Sequence, residues 1–143
     1  RQMCIRDRIS PFGFSSVLDL FSGTGILGFE SISRGASSIT FVEKDAKSIR
    51  LLHRNSEKFE GVPINIIRDK VEIFLKDTND LFDLIFADPP YDKIDYDWLF
   101  KCCIKKLSKN VKLVVEMKKN NFVYNNCIEK VYGDTKVLLY NKS

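Results

Sequence analysis

Residues 82 to 93 read FDLIFADPPYDK, an apolar strand-like run that stops at Asp88-Pro89-Pro90-Tyr91. Two successive prolines remove two backbone donors and fix φ twice, so the strand must end there and the chain beyond Asp88 must be stiff. A stiff turn of this kind holds a carboxylate, a rigid carbonyl and an aromatic ring in one geometry at the end of a strand. The second stretch with chemical potential is DLFSGTGILGFE, residues 19 to 30. Its Gly23-Thr24-Gly25-Ile26-Leu27-Gly28 is a G-x-G-x-x-G between a strand and a helix, followed by an acid, Glu43, at the end of the second strand.

The glycine turn lets backbone approach a ligand closely, and the helix that follows offers amides and partial positive charge to an anion. Glu43 can accept from two ribose hydroxyls. Both features suit a nicotinamide dinucleotide and an amino-acid-bearing nucleoside equally. Asp19, four residues ahead of Gly23, separates them. An acid there sits badly beside a pyrophosphate and well beside an ammonium group. A ligand with a carboxylate, an ammonium, a ribose and an adenine is S-adenosylmethionine.

These residues need elements to hold them, and periodicity supplies an alternation of strands and helices. Strands are expected at Val17 to Phe21, Ser38 to Glu43, Ile64 to Arg68, Phe82 to Ala87 and Val111 to Met117. Helices are expected at Ile26 to Arg34, from an Asp45 cap to about Glu60, at Val71 to Lys76, and at Tyr96 to Leu107 with Trp98, Leu99, Cys102 and Cys103 on its buried side. Most of these strands are nearly continuous apolar runs, as parallel strands covered on both faces are. Cys127 to Tyr132 and Thr135 to Asn141 flank Gly133-Asp134 and read as a hairpin, which inserts an antiparallel strand at the sheet edge. The expected class is α/β, doubly wound.

Composition narrows the function. With 143 residues, 44% apolar and 29% charged, the chain is of a size to build one core, and no repeat or low-complexity block interrupts it. Its apolar runs are too short to cross a bilayer and no secretory core follows the basic N-terminus, so no membrane partner and a cytoplasmic location are expected. Cys4, Cys102, Cys103, Cys127 and the single His53 form neither a zinc pattern nor a disulfide framework, and no metal site is expected. Net charge is +4, with Lys101, Lys105, Lys106, Lys109, Lys112, Lys118 and Lys119 in a stretch whose only acid is Glu116. One region should be distinctly positive, either a solvated face or a nucleic-acid footprint.

VLDLFSGTGILGFESISRGASSITFVEKD followed by FDLIFADPPYDK resembles the bacterial RsmD-like methyltransferases, which act on the guanine N2 amine of 16S ribosomal RNA. The resemblance runs from Val17 through the hairpin. It implies a Rossmann-like seven-stranded class I S-adenosylmethionine-dependent methyltransferase fold, a monomer, and 16S ribosomal RNA or a small ribosomal subunit assembly particle as partner. It places Ser22, Gly23, Thr24 and Gly25 around the methionine end, Glu43 with Lys44 at the ribose, and Asp69 with Lys70 at the adenine; Asp69 reads equally as a helix N-cap. It assigns Asp88, Pro89, Pro90 and Tyr91 to the amine. Asp88 and the Pro89 carbonyl accept its hydrogens and turn its lone pair toward the methyl group, while Tyr91 stacks on an unpaired or flipped base. The lysines then favour RNA.

Residues 1–16 depart from the family, lacking its basic segment and helix, so the expected division is an atypical N-terminal segment 1–16 and a methyltransferase domain 17–143. Two alternatives carry parts of the pattern: action on another exocyclic amine, such as adenine N6 in DNA or RNA, and a nucleotide-binding oxidoreductase module, which leaves Asp88-Pro89-Pro90-Tyr91 without a task.

Overall fold

The computed structural model describes residues 15–90 and 94–141. Tyr91 and nearly all of the N-terminal segment named above lie outside the described residues. Strands β1 (Ser16–Leu20), β2 (Ser38–Glu43), β3 (Ile64–Arg68), β4 (Phe82–Ala87) and β5 (Leu107–Lys118) pair in parallel. β6 (Cys127–Tyr132) and β7 (Thr135–Asn141) form the hairpin, and β7 enters antiparallel beside β5. The order across the 7-stranded sheet is β3-β2-β1-β4-β5-β7-β6.

Side chains alternate across each strand, so one sheet must satisfy two covers. Val17, Phe41, Leu84, Phe86 and Val114 meet Phe29 and Ile32 of α1 (Ile26–Ser33) and Leu52 of α2 (Ala46–Ser56). Leu18, Leu20, Ile85 and Val115 meet Phe74 and Leu75 of α3 (Val71–Asp77) and Leu99, Phe100 and Cys103 of α4 (Tyr96–Lys105). Both faces of the central strands are therefore buried, which is why those strands carry apolar residues in unbroken runs. Gly28 sets how closely α1 can approach: a Cβ there would lie 2.4 Å from both Ile39 and Phe41 side chains.

Several details differ from the linear reading. α2 ends at Ser56 rather than near Glu60, because turns at Asn55 and Ser56 redirect the chain and let Phe59 stack on Phe29 with ring centroids 5.1 Å apart. α4 stops at Lys105, and β5 begins at Leu107 because that residue already pairs with Phe82; the register then shifts before Leu84. Lys136, polar in the hairpin pattern, is buried. Its ammonium donates to the Asn120 and Phe122 carbonyls and pairs with Glu129 at 3.3 Å, anchoring the loop before β6.

The single positive region expected from the lysine run is divided. Lys106 closes the N-terminal end of the sheet, its Nζ donating to the Thr78 carbonyl at 2.6 Å, while Lys118 and Lys119 stand exposed at the other end of β5. Lys101 is paired with Asp97 at 2.7 Å on the surface of α4. Cys103 is buried and Cys102 partly so, and both thiols are free, as expected of small apolar fillers. His53 is exposed on α2.

Candidate active site

Parallel strands present their C-terminal ends together, and ligands of such sheets bind in the crevice beyond those ends where the strand order reverses. Here the reversal falls between β1 and β4. Two cavities open there. The larger, about 650 Å³, is walled by Val42, Glu43, Asp69, Val71 and Trp98 among others; the smaller, about 200 Å³, is walled by Asp19, Ser22, Gly23, Thr24, Ile26, Leu27 and Glu116. Phe21 and Asp88 line both.

The glycine turn is built by contacts with its surroundings. Ser22 extends the β1–β2 pairing past the strand end, its N–H donating to the Val42 carbonyl at 3.2 Å and its hydroxyl accepting from the Val42 N–H at 3.2 Å. Phe21 then takes φ 57°, a left-handed conformation rare for an aromatic residue, and Gly25 takes φ 83° at the N-cap of α1. A Cβ on Gly25 would lie 2.5 Å from Leu52, so this position tolerates neither the conformation nor the bulk of a side chain. Gly25 lines neither cavity and shapes the turn from beneath.

Glu43 locks that turn. One carboxylate oxygen accepts from the Gly23 N–H at 2.8 Å, and the other accepts from the Lys44 and Asp45 amides at 3.0 and 2.8 Å. Each oxygen has two acceptor lone pairs, so these bonds fix the carboxylate at the rim of the larger cavity and leave acceptor capacity for a ribose. α3 is capped at Lys70 rather than at Asp69, with no side-chain cap bond, and among the described residues the Asp69 carboxylate accepts from the adjacent Lys70 N–H at 2.8 Å. Lys44 and Lys70 contribute these backbone amides at the mouth of the larger cavity, and their positions are exposed.

Asp19 is only 4% exposed, and it accepts from the Gly28 N–H at 3.1 Å. It thereby satisfies one of the amides that the first turn of α1 leaves without a helical partner. Burial pushes its carboxyl well above the usual carboxylate range; the Gly28 bond opposes this, and the nearby charges of Asp88 and Glu43 reinforce it. A cation in the smaller cavity would relieve that penalty, and a pyrophosphate would aggravate it. Asp88 is half-buried directly after β4, Pro89 is buried, and Pro90 reaches the larger cavity. No cluster of three or more His, Cys, Asp or Glu suited to a metal occurs among the described residues.

Among the lining residues that sequence reasoning missed, Phe21, Trp98 and Glu116 stand out. Phe21 sits at the junction of both cavities, and only its positive φ marks it. Trp98, expected on the buried side of α4, packs partly against the core and also walls the larger cavity with Ile94. Glu116 is 3% exposed in the smaller cavity; the available signal was a lone acid inside the apolar run Leu113 to Met117.

The parallel order reversing at β1 and β4, with an antiparallel β7 inserted beside β5, is the fold of class I S-adenosylmethionine-dependent methyltransferases. A protein from Haemophilus influenzae described as a putative methylase shares it, with a TM-score of 0.85 at 27% identity over 99% of this chain and 87% of that one. A conserved hypothetical protein from Streptococcus pyogenes superposes with a TM-score of 0.91, at 30% identity over 100% of this chain and 96% of that one.

The chain belongs to the family described as conserved hypothetical protein 95, whose profile matches residues 5–141. Its curated relatives include ribosomal RNA small subunit methyltransferase D of Buchnera aphidicola, 39% identical over 111 residues that make up 77% of this chain and 54% of that protein. The chain spans about half the length of such relatives.

Proposed function

We propose that the chain binds S-adenosylmethionine across the two cavities and methylates the N2 amine of an unpaired guanine in small-subunit ribosomal RNA. The observation that carries this reading is the junction: a nucleoside-sized cavity and a small acidic one meet at Phe21 and Asp88, the last residue before the two prolines.

The chain's residues fit the cofactor. Asp69 faces the larger cavity as an acceptor for the adenine amine, between the apolar side chains of Val71, Phe21 and Trp98. Glu43 is held at the rim with one acceptor site left on Oε1 for a ribose hydroxyl. Asp19, buried and short of positive charge, receives the ammonium, and the first turn of α1 faces the carboxylate. S-adenosylmethionine supplies, when bound, a sulfonium methyl whose C–S bond breaks as the new N–C bond forms, the sulfur keeping the electron pair. Asp88 acts on the nitrogen: its carboxylate and the Pro89 carbonyl accept amine hydrogens, direct the lone pair, and the carboxylate then takes the proton that nitrogen sheds and passes it to water. The rigid prolines hold this geometry without reorganisation.

A dinucleotide reading gains nothing from the smaller cavity, where Asp19 and Glu116 would oppose a pyrophosphate. Support for ribosomal RNA comes from the names of the curated relatives.

Incubating the protein with methyl-labelled S-adenosylmethionine and small-subunit RNA, then digesting to nucleosides, should yield N2-methylguanosine. Label in N6-methyladenosine alone would shift the reading to a different amine, and tight NAD binding with none of S-adenosylhomocysteine would remove the methyltransferase reading.

A further inference from the structure

The sheet order lays the site out as a line of carboxylates with distinct neighbours. Asp69 follows β3, Glu43 ends β2, Asp19 lies on β1, Asp88 follows β4, and Glu116 lies on β5. The residues assigned to the cofactor occupy β3, β2 and β1, and Asp88 stands at the reacting nitrogen. Glu116 alone lies on the far side of Asp88 from the nucleoside cavity, yet it lines the smaller one.

Register places Glu116 beside Asp88 and on the same face. Phe86 pairs with Asp19 on one side and Val114 on the other, and the next outward positions in alternation are Asp88 and Glu116. Adjacent strands lie roughly 4.8 Å apart, so two neighbouring carboxylates can meet two adjacent donors on the edge of one flat base. Glu116 is only 3% exposed, in a strand whose other inward residues are apolar, so its carboxylate meets a base edge in a site from which water is largely excluded.

Guanine carries such a pair of donors, the N2 amine and the N1–H beside it. Adenine and cytosine carry an amine beside a ring nitrogen that is an acceptor. We propose that Glu116 is a specificity-determining residue that accepts the guanine N1–H while Asp88 accepts from N2, so that a carboxylate at Glu116 rejects any base presenting an acceptor there. The assignment rests on the guanine reading above and deepens it. Two acceptors forced together in a desolvated site exclude the wrong base more strongly than a missing contact does.

2-Aminopurine tests this directly, because it keeps the 2-amine but has an acceptor at N1. A small-subunit RNA fragment would carry guanine or 2-aminopurine at the position that the wild-type protein methylates, and single-turnover rates would be measured at saturating S-adenosylmethionine for wild type and Glu116→Gln. Wild type should prefer guanine by about tenfold or more beyond the preference of the Gln variant, whose amide can donate to N1. 2-Aminopurine also lacks O6, but that loss is common to both proteins and cancels in the ratio of ratios. Affinity for S-adenosylhomocysteine should stay within about twofold in Glu116→Gln, which also reports that the variant is folded.

If transfer is too slow to time, the same cycle can be read from binding of the two RNAs in the presence of S-adenosylhomocysteine, using 2-aminopurine fluorescence and competition by the guanine form. An identical base preference in both proteins overturns the assignment. So does a large loss of S-adenosylhomocysteine affinity with unchanged base preference, which would place Glu116 at the ammonium. Methylation by wild type of an amine other than guanine N2 instead overturns the reading on which the assignment rests.

Discussion

Asp83 and Asp19 are the same residue type on neighbouring strands at opposite ends of the sheet, and their surroundings differ in kind. At the N-terminal end Asp83 accepts from the Ser16 amide at 3.0 Å, from the Ser16 hydroxyl at 3.5 Å and from the Ser108 hydroxyl, joining β1, β4 and β5 with donors alone. At the C-terminal end Asp19 has the Gly28 amide, and otherwise shares its cavity with Asp88 and Glu116. One end of the sheet spends its acid on holding strands together. The other gathers acids whose mutual repulsion the folded chain must bear, an arrangement that a cation or hydrogen-bond donors entering the cavity would relieve.

The contrast predicts separable losses. Asp88→Ala should lower single-turnover methyl transfer by about a hundredfold or more, the usual effect of removing a group aimed at the reacting atoms, while S-adenosylhomocysteine affinity changes by less than about threefold. Isothermal calorimetry alongside the rate measurement separates the two; a comparable fall in both would place Asp88 with the cofactor rather than the amine.

Asp83→Ala should do the reverse. Stranding the donors of Ser16 and Ser108 should cost about 1–3 kcal/mol of stability by denaturant unfolding, with cofactor affinity per folded molecule unchanged. Equal stability in the variant would mean that water replaces the carboxylate at that end of the sheet.

Asp19→Asn is expected to have the smallest and most instructive effect. The folded state holds the Asp19 proton to a higher pH than the unfolded chain does, so wild-type stability falls as pH rises from the ordinary carboxylate range through the raised value. Asparagine keeps an acceptor for Gly28 and removes the charge. The variant should match wild type at acid pH and gain in relative melting temperature as pH rises through that window. Its affinity for S-adenosylhomocysteine should fall by about tenfold, roughly the worth of one charge-assisted hydrogen bond. At a pH inside that window, binding to wild type should also release protons, visible as a binding heat that varies with buffer ionisation enthalpy, and this dependence should vanish in the variant. A wild-type heat independent of buffer would show that Asp19 is not the ammonium's partner.

Local chemistry settled much of this in advance. The glycine turn, the double proline after Asp88 and the alternation of apolar runs with helical periods are written in neighbouring residues, and each acts through its own backbone: Gly25 by permitting φ 83°, Pro89 and Pro90 by ending a strand. The hairpin at Gly133-Asp134 was legible for the same reason. Where boundaries moved, a distant partner moved them. Leu107 joins β5 because Phe82 is there to pair with, and Phe59 leaves α2 because Phe29 is there to stack on.

The site itself belongs to the tertiary structure. A linear pattern reports which side of a strand is buried but not which strand lies next to it, so no local signal could set Glu116 beside Asp88 or divide the lysine run between two ends of β5. Phe21 and Trp98 read as ordinary apolar residues until the β1–β4 reversal and the packing of α4 turn them toward a cavity. Even Asp19, picked out early by its spacing, acquires its raised proton affinity only when folding removes water and brings Asp88 and Glu43 within reach of it. The residues and the turns that hold them were sequence properties; their adjacency, burial and shared electrostatics arise only when crossovers bring separate strand ends to one edge.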